Sequence, residues 1–120
     1  MPNIWNADCG FNLNQKDKFE DLTVEVINNP EGVDLTGHKN MHISLASESS
    51  DVSIEDFECM VPGMEYTIVA ANGANTKNEL IFPSASTLYS GEITKANGMT
   101  VVYKFFTDRY SIYCDRRIYQ

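Results

Sequence analysis

Hydrophobic and polar residues alternate one by one in short runs along most of this chain. Such alternation points successive side chains to opposite faces of a β-strand, so that one face is buried and the other meets water. Gly, Asn and Pro interrupt the runs, as is typical of turns between strands. The clearest runs cover residues 22–27, 41–46, 52–57, 66–71, 80–82, 99–106 and 109–114.

These runs follow one another at short intervals, and no long helical pattern separates them. They predict an all-β protein, and we expect an antiparallel β-sandwich or jelly roll over residues 21–120. Residues 1–20 lack a strand pattern and are rich in Asn. We expect them to form an N-terminal arm that leans on the domain or on a neighbouring subunit.

The last third of the chain predicts a β-hairpin. Residues 99–106 and 109–114 are β-branched and aromatic, and a short polar link at Thr107 and Asp108 joins them. Residues 116–120 would then add a final edge strand.

The composition is that of one globular domain. The chain has 120 residues, of which 42% are hydrophobic, enough for a single core. No apolar run approaches the roughly 20 residues that cross a bilayer, and the first residues do not resemble a signal peptide. We therefore expect no membrane insertion, and we expect that the protein is made in a cytoplasm.

Cys9, Cys59 and Cys114 are few and odd in number, so we expect reduced, mostly buried thiols.

Charge is unevenly distributed along the chain. Twelve of the 17 acidic residues lie in residues 1–58, and the net charge is −8. An acidic surface repels phosphate, so nucleic acid is a disfavoured partner. The asymmetry serves solubility, or it marks two faces that meet different surroundings.

Motifs that would indicate catalysis are missing. The sequence has no phosphate-binding loop, dinucleotide fingerprint or nucleophile elbow. Asp51, Glu55, Asp56 and Glu58 form a carboxylate cluster that fits a solvated strand face better than a metal or glycosidase site. We expect no catalytic residue, no cofactor and no metal ligand, and we keep an enzyme with a carboxylate site as the least favoured hypothesis.

Aromatic residues crowd the predicted hairpin and fall on both of its faces. Alternation puts Tyr103 and Phe105 on one face and Phe106 on the other. Core packing uses one face, so the second is covered by a subunit or partner, buried in a two-sided sandwich, or open for sugar stacking. The candidate interface residues are Trp5, Phe11, Tyr89, Tyr103, Phe106, Tyr110, Tyr113 and Tyr119.

Four motifs occur in a distinctive order from residue 52 onwards. An alternating segment covers 52–57, a Pro-Gly turn at residues 62–63 leads to Tyr66 and Ile68, a Leu-Ile-Phe-Pro-Ser strand covers 80–84, and the aromatic hairpin covers 98–114. This order resembles small β-sandwich modules of tailed-bacteriophage virions, namely fibre tips, head fibres and capsid decoration proteins. The likeness covers a little over half of the chain. One departure is Arg109, which follows Asp108 where the pattern usually has Gly.

The resemblance implies a non-enzymatic structural protein of a virion. Such a protein would associate with itself, often as a homotrimer, and dock on a capsid or tail protein. The alternative is a carbohydrate-binding β-sandwich that recognises glycans of a bacterial surface, because Tyr89, Tyr110 and Tyr113 lie beside polar loops.

Overall fold

The computed structural model describes residues 25–28, 32–35, 39–45, 51–55 and 57–119, and for 25–28 it describes the backbone alone. The described chain is made of strands with one single-turn 3-10 helix, Phe57–Cys59, so the predicted all-β class is confirmed. The predicted N-terminal arm, with Trp5 and Phe11, lies outside the described residues. The strands are β1 (Glu25–Asn28), β2 (Gly32–Asp34), β3 (Asn40–Leu45), β4 (Val52–Glu55), β5 (Tyr66–Asn72), β6 (Leu80–Ile81), β7 (Thr87–Ser90), β8 (Thr100–Thr107) and β9 (Ile112–Tyr119).

The strands form two sheets between which the chain alternates. The six-stranded sheet has the order β1-β3-β5-β8-β9-β7, and the three-stranded sheet has the order β2-β4-β6. Strands β1, β3 and β5 belong to the six-stranded sheet, and β2, β4 and β6 belong to the three-stranded sheet. Within each of these two sets, neighbouring strands run parallel. The first six strands therefore wind as in a β-solenoid, each turn adding one strand to each sheet.

The predicted antiparallel arrangement is wrong for most of this fold. Only the β5–β8 and β8–β9 pairs are antiparallel among the described strands, and β7 joins β9 in parallel. Alternation reports which face of a strand is buried, but it carries no information on the direction of the neighbour. A parallel neighbour needs a long crossover, and here a strand of the opposite sheet makes it in place of a helix.

Both sheets contribute to one core. Every second residue of β3, β4, β5 and β8 is buried, as their alternation predicts. Phe82, which follows β6, packs edge-on against Phe105 of β8, with ring centroids 4.9 Å apart, and Phe105 stacks on Tyr66 of β5 at 5.6 Å. Aromatic rings thus join the three-stranded sheet to the six-stranded sheet.

Two buried tyrosines accept hydrogen bonds from backbone N–H groups and also fill space in the core. The hydroxyl of Tyr103 accepts a hydrogen bond from the Leu80 N–H at 2.9 Å, and the hydroxyl of Tyr66 accepts one from the Val61 N–H at 2.7 Å. Burial raises the pKa of Tyr66 to about 12 and raises that of Tyr103 further above the usual 10.0. Both side chains are therefore neutral hydrogen-bonding groups of the core.

The predicted hairpin is present, with a longer second strand than expected. β8 and β9 pair from Thr100↔Tyr119 to Thr107↔Ile112, and residues 108–111 form the turn. Residues 116–119 belong to β9, so the prediction of a separate strand there is wrong. β7 pairs with β9 only from Ile112 to Asp115, so among the described strands residues 116–119 pair with β8 alone and lie at an edge of the sheet, as predicted.

The cysteines do not all behave as predicted. Cys114 is a free, buried thiol, and burial raises its pKa to about 12. Cys59 is disulfide-bonded, so the expectation of three reduced thiols is wrong. The partner of Cys59 lies outside the described residues. Spacing along the chain could not reveal this bond, since pairing depends on proximity in the fold.

Candidate functional site

The aromatic residues of the hairpin divide between the core and the surface. Tyr103 and Phe105 are fully buried on the inner face of β8, and Phe106 on the outer face is 42% exposed. The predicted division of these three residues is confirmed. The prediction that Tyr103 is an interface residue is wrong, however, because its side chain has no exposed surface.

Three apolar side chains on neighbouring strands form what we call the aromatic stripe: Leu88 of β7, Tyr113 of β9 and Phe106 of β8. Strand register sets them side by side, since Leu88 pairs with Tyr113 and Tyr113 pairs with Phe106. The rings of Phe106 and Tyr113 stack with centroids 5.1 Å apart. Leu88 is 58% exposed, so the stripe presents apolar surface to solvent.

Polar groups surround the aromatic stripe. A shallow depression of about 340 Å³ has the stripe as its apolar wall, and Lys104 and Asp115, which are cross-strand neighbours on the same outer face, border it. Glu65, Ser90, Tyr89 and Cys114 also line it. An apolar platform with a charged rim is the usual composition of a protein contact surface, and it also suits the stacking of a sugar ring.

A hydrogen bond fixes the ring of Tyr113. Its hydroxyl donates to Oδ2 of Asp108 at 2.8 Å, while Oδ1 of Asp108 accepts the backbone N–H groups of Ser111 and Tyr110, each at 2.9 Å. These bonds favour the ionised carboxylate and lower the pKa of Asp108. The Tyr113 ring of the stripe is therefore held in place by the hairpin turn.

Tyr89 has a different role from the stripe. Its ring meets the edge of Phe82 at 6.1 Å, and the guanidinium of Arg116 lies over it, 4.1 Å from the ring centre. Arg116 also donates from Nε and Nη2 to the carbonyl oxygen of Gly91. Tyr89 is 43% exposed, yet its ring contacts both Phe82, which follows β6, and Arg116 of β9.

The other two exposed candidates lie beyond the stripe, in opposite directions. Tyr110 is in the hairpin turn and is 85% exposed. Tyr119 ends β9 and lines a second depression of about 210 Å³ with Val102 and Arg117. The predicted interface residues therefore do not form one cluster.

The carboxylate cluster separates in the structure. Asp51 makes a salt bridge to Lys95 at 2.9 Å and accepts the Glu79 N–H at 3.0 Å, so it joins the segments that precede β4 and β6. Asp56 lies outside the described residues. Within the described ranges, no three His, Cys, Asp or Glu side chains are grouped as a metal site would need.

Sequence reasoning missed Leu88, Lys104, Glu65 and Asp115 as parts of this surface. β7 and β9 are far apart in sequence, and only their pairing brings Leu88 to Tyr113. The only sequence feature that pointed to one of these residues was the alternation in 99–106, which places Lys104 on the same face as Phe106.

No helix in the described part of the chain is long and apolar enough to cross a membrane. Comparisons with known protein families, with curated proteins and with solved structures found no match to this chain.

Proposed function

We propose that this protein is a non-enzymatic structural protein of a bacteriophage virion that acts through protein–protein contact on the aromatic stripe. The observation that carries the proposal is the stripe itself: exposed Leu88 and Phe106 on either side of half-buried Tyr113, on one sheet face. Aromatic residues are enriched at protein interfaces, because they bury a large area at a small cost in side-chain entropy.

The fold suits such a role. The stripe lies on the outer face of strands whose inner faces build the core, so its geometry is set by the sheet. Rigid elements position contact residues better than loops do. We further propose that the two sheets, which share one core, form a variant of the predicted β-sandwich.

The virion assignment comes from the order of the motifs. The Pro-Gly turn before β5, the Leu-Ile-Phe-Pro-Ser segment at β6 and the aromatic hairpin resemble phage fibre and decoration modules. We propose that the protein associates with itself, as a homotrimer, and docks on a capsid or tail protein in the virion.

The test compares two substitutions of equal exposure on different sheets. Phe106→Ser removes one of the two aromatic rings of the stripe, whereas Ile81→Ser alters a residue of the three-stranded sheet that is 41% exposed. Analytical ultracentrifugation at micromolar concentration should show association of the wild-type protein. Phe106→Ser should weaken it about tenfold, as expected for an interface aromatic, while Ile81→Ser should not. A wild-type protein that is monomeric and binds no virion protein would refute the proposal.

The second candidate function is recognition of a carbohydrate on a bacterial surface. The observation in its favour is the Phe106–Tyr113 pair, whose flat stacked rings border a depression with charged and hydroxyl groups around it. A glycan array probed with the wild-type protein and with Tyr113→Ala separates the two functions. A signal that Tyr113→Ala abolishes supports sugar binding, and an array without signal removes it.

A further inference from the structure

The six-stranded sheet ends on a strand that is open along one side. Among the described strands, β7 pairs only with β9. The Ile112 N–H donates to the Ser86 carbonyl at 2.6 Å, so in this parallel pair Leu88 directs both of its backbone groups at β9. The N–H and C=O groups of Thr87 and Tyr89 point the opposite way, to the open side. No described backbone group binds them there.

β7 lacks the features by which proteins usually protect an edge strand. An edge is commonly blocked by a charged residue, a proline or extreme shortness. Of the other strands at the ends of the two sheets, β1 and β2 contain Glu25 and Asp34, and β6 has only two residues. β7 has four residues, and residues 84–91 carry no charge. Its open side is therefore available for pairing with another strand.

A buried hydroxyl on this strand also lacks a partner. Thr87 is 9% exposed, and its Oγ1 atom makes no hydrogen bond with a described residue. Buried polar groups in a complete fold nearly always have a partner, and one left alone lowers stability. The orphan hydroxyl and the open backbone groups lie on the same strand, which indicates that a further chain completes β7.

The pattern of β7 is complementary to itself. When two copies of one strand pair antiparallel about a two-fold axis, the residue on the axis faces its own copy. With Leu88 on the axis, Thr87 of each copy lies opposite Tyr89 of the other, and their outward N–H groups donate to the facing carbonyls. The two Leu88 Cα atoms are then about 4.5 Å apart, so these side chains, each 58% exposed in the single chain, cover one another. The net charge of −8 is no obstacle at this edge, because residues 84–91 are uncharged.

We propose that two copies of this chain pair through β7, antiparallel and with Leu88 on the two-fold axis. The contact continues the six-stranded sheet of one copy into the next and joins their aromatic stripes end to end, since Leu88 ends the stripe. The proposal rests on the self-association proposed above and names a contact for it. A two-fold contact joins copies in pairs, so it gives a dimer when alone and links one proposed homotrimer to another.

A single cysteine tests for the axis. Leu88→Cys places two copies of one thiol opposite each other, so mild oxidation should link the protein into covalent dimers on non-reducing gels. Phe106→Cys is the matched control, because Phe106 is 42% exposed on the same face but lies two strands further from the axis. With strands about 4.8 Å apart, its two copies would be about 24 Å apart, too far for a disulfide. Leu88→Cys should therefore crosslink at least about tenfold faster.

Analytical ultracentrifugation measures the strength of the contact. Leu88→Glu puts like charges opposite each other on the axis and should weaken association more than about tenfold. Ile81→Glu adds the same charge on the end strand of the other sheet, at a residue that is 41% exposed, and should leave association unchanged.

A third variant separates edge pairing from contact through the stripe. Thr87→Pro removes an N–H that points away from β9, a position at which an edge strand tolerates proline. Thr87 is not part of the stripe, so weaker association of this variant, with the β-sheet circular dichroism of the wild type retained, supports pairing through β7.

The remaining outcomes overturn the inference. If Leu88→Cys crosslinks no faster than Phe106→Cys, or if folded Thr87→Pro associates like an associating wild-type protein, the inference fails while the proposed function stands. A wild-type protein found only as a trimer has the same meaning, since a two-fold contact gives an even number of copies. A wild-type protein that stays monomeric overturns the inference, and it overturns the proposed function as well if it binds no virion protein.

Discussion

The hydroxyl of Tyr103 lies in the centre of the core, where removing one oxygen tests how the two sheets are joined. Tyr103 is fully buried, and its hydroxyl accepts the N–H of Leu80, which is itself only 2% exposed. Tyr103→Phe deletes the acceptor and keeps the ring, which packs on Phe82 with centroids 5.7 Å apart. The substitution therefore isolates one hydrogen bond between the sheets.

The expected loss is about 2 kcal/mol in the free energy of unfolding. A buried donor left without its acceptor costs about 1–3 kcal/mol, and the space left by one oxygen is too small to hold a water molecule. The retained ring keeps the apolar contacts, so no larger cavity cost is added. For a domain of this size the loss corresponds to a decrease in Tm of roughly 8 °C.

Urea unfolding followed by circular dichroism measures this loss. Tyr110→Phe is the matched control, since it removes the same oxygen from a side chain that is 85% exposed. The control should stay within about 0.5 kcal/mol of wild type. A Tyr103→Phe variant equally close to wild type would refute the reasoning, because the hydrogen bond would then contribute no net stability.

The pH dependence gives a second check on the same residue. Burial raises the pKa of Tyr103 above the usual 10.0, and loss of the Tyr103 proton is thus favoured in the unfolded chain. The resulting stability is fully present below pH 10 and is lost as pH rises through the folded-state pKa. Tyr103→Phe lacks this linkage, so the stability difference between wild type and variant should shrink as pH rises above 10.

Three further predictions concern glycine, the hairpin turn and the cysteines. Gly91→Ala should lower the free energy of unfolding by more than about 2 kcal/mol, because φ is +88 and a Cβ would overlap the Arg116 carbonyl oxygen. Gly63→Ala, with φ +82 and open space around it, should lower it by only about 1 kcal/mol, and thermal unfolding measures both losses. Arg109→Gly should raise the free energy of unfolding by about 0.5–1 kcal/mol in urea, and Arg109→Ala, which keeps a Cβ at positive φ, should show no such gain. Alkylation of the unfolded, unreduced protein followed by mass spectrometry should modify Cys114 and leave Cys59 unmodified, and a modified Cys59 would contradict the disulfide.

Much of the local structure followed from the sequence. Alternation identified the strand character of residues 41–45, 66–71 and 100–106, and it separated Phe105, which is buried, from Phe106, which is exposed. The hairpin followed from β-branched and aromatic residues on both sides of a polar link. The positive φ of Arg109 has no such local signal, because residues other than Gly rarely adopt it.

The arrangement of the strands was decided only in the tertiary structure. Neither the parallel winding of β1 to β6 nor the pairing of β7 with β9 has a local signal, since alternation repeats identically for parallel and antiparallel neighbours. For the same reason Leu88 was not expected beside Tyr113, and Tyr103 was counted as an interface residue. A two-residue period is a property of one strand and fixes which side chains are buried; the identity of the neighbouring strand depends on contacts between distant parts of the chain, and these form only when both sheets close over the same core.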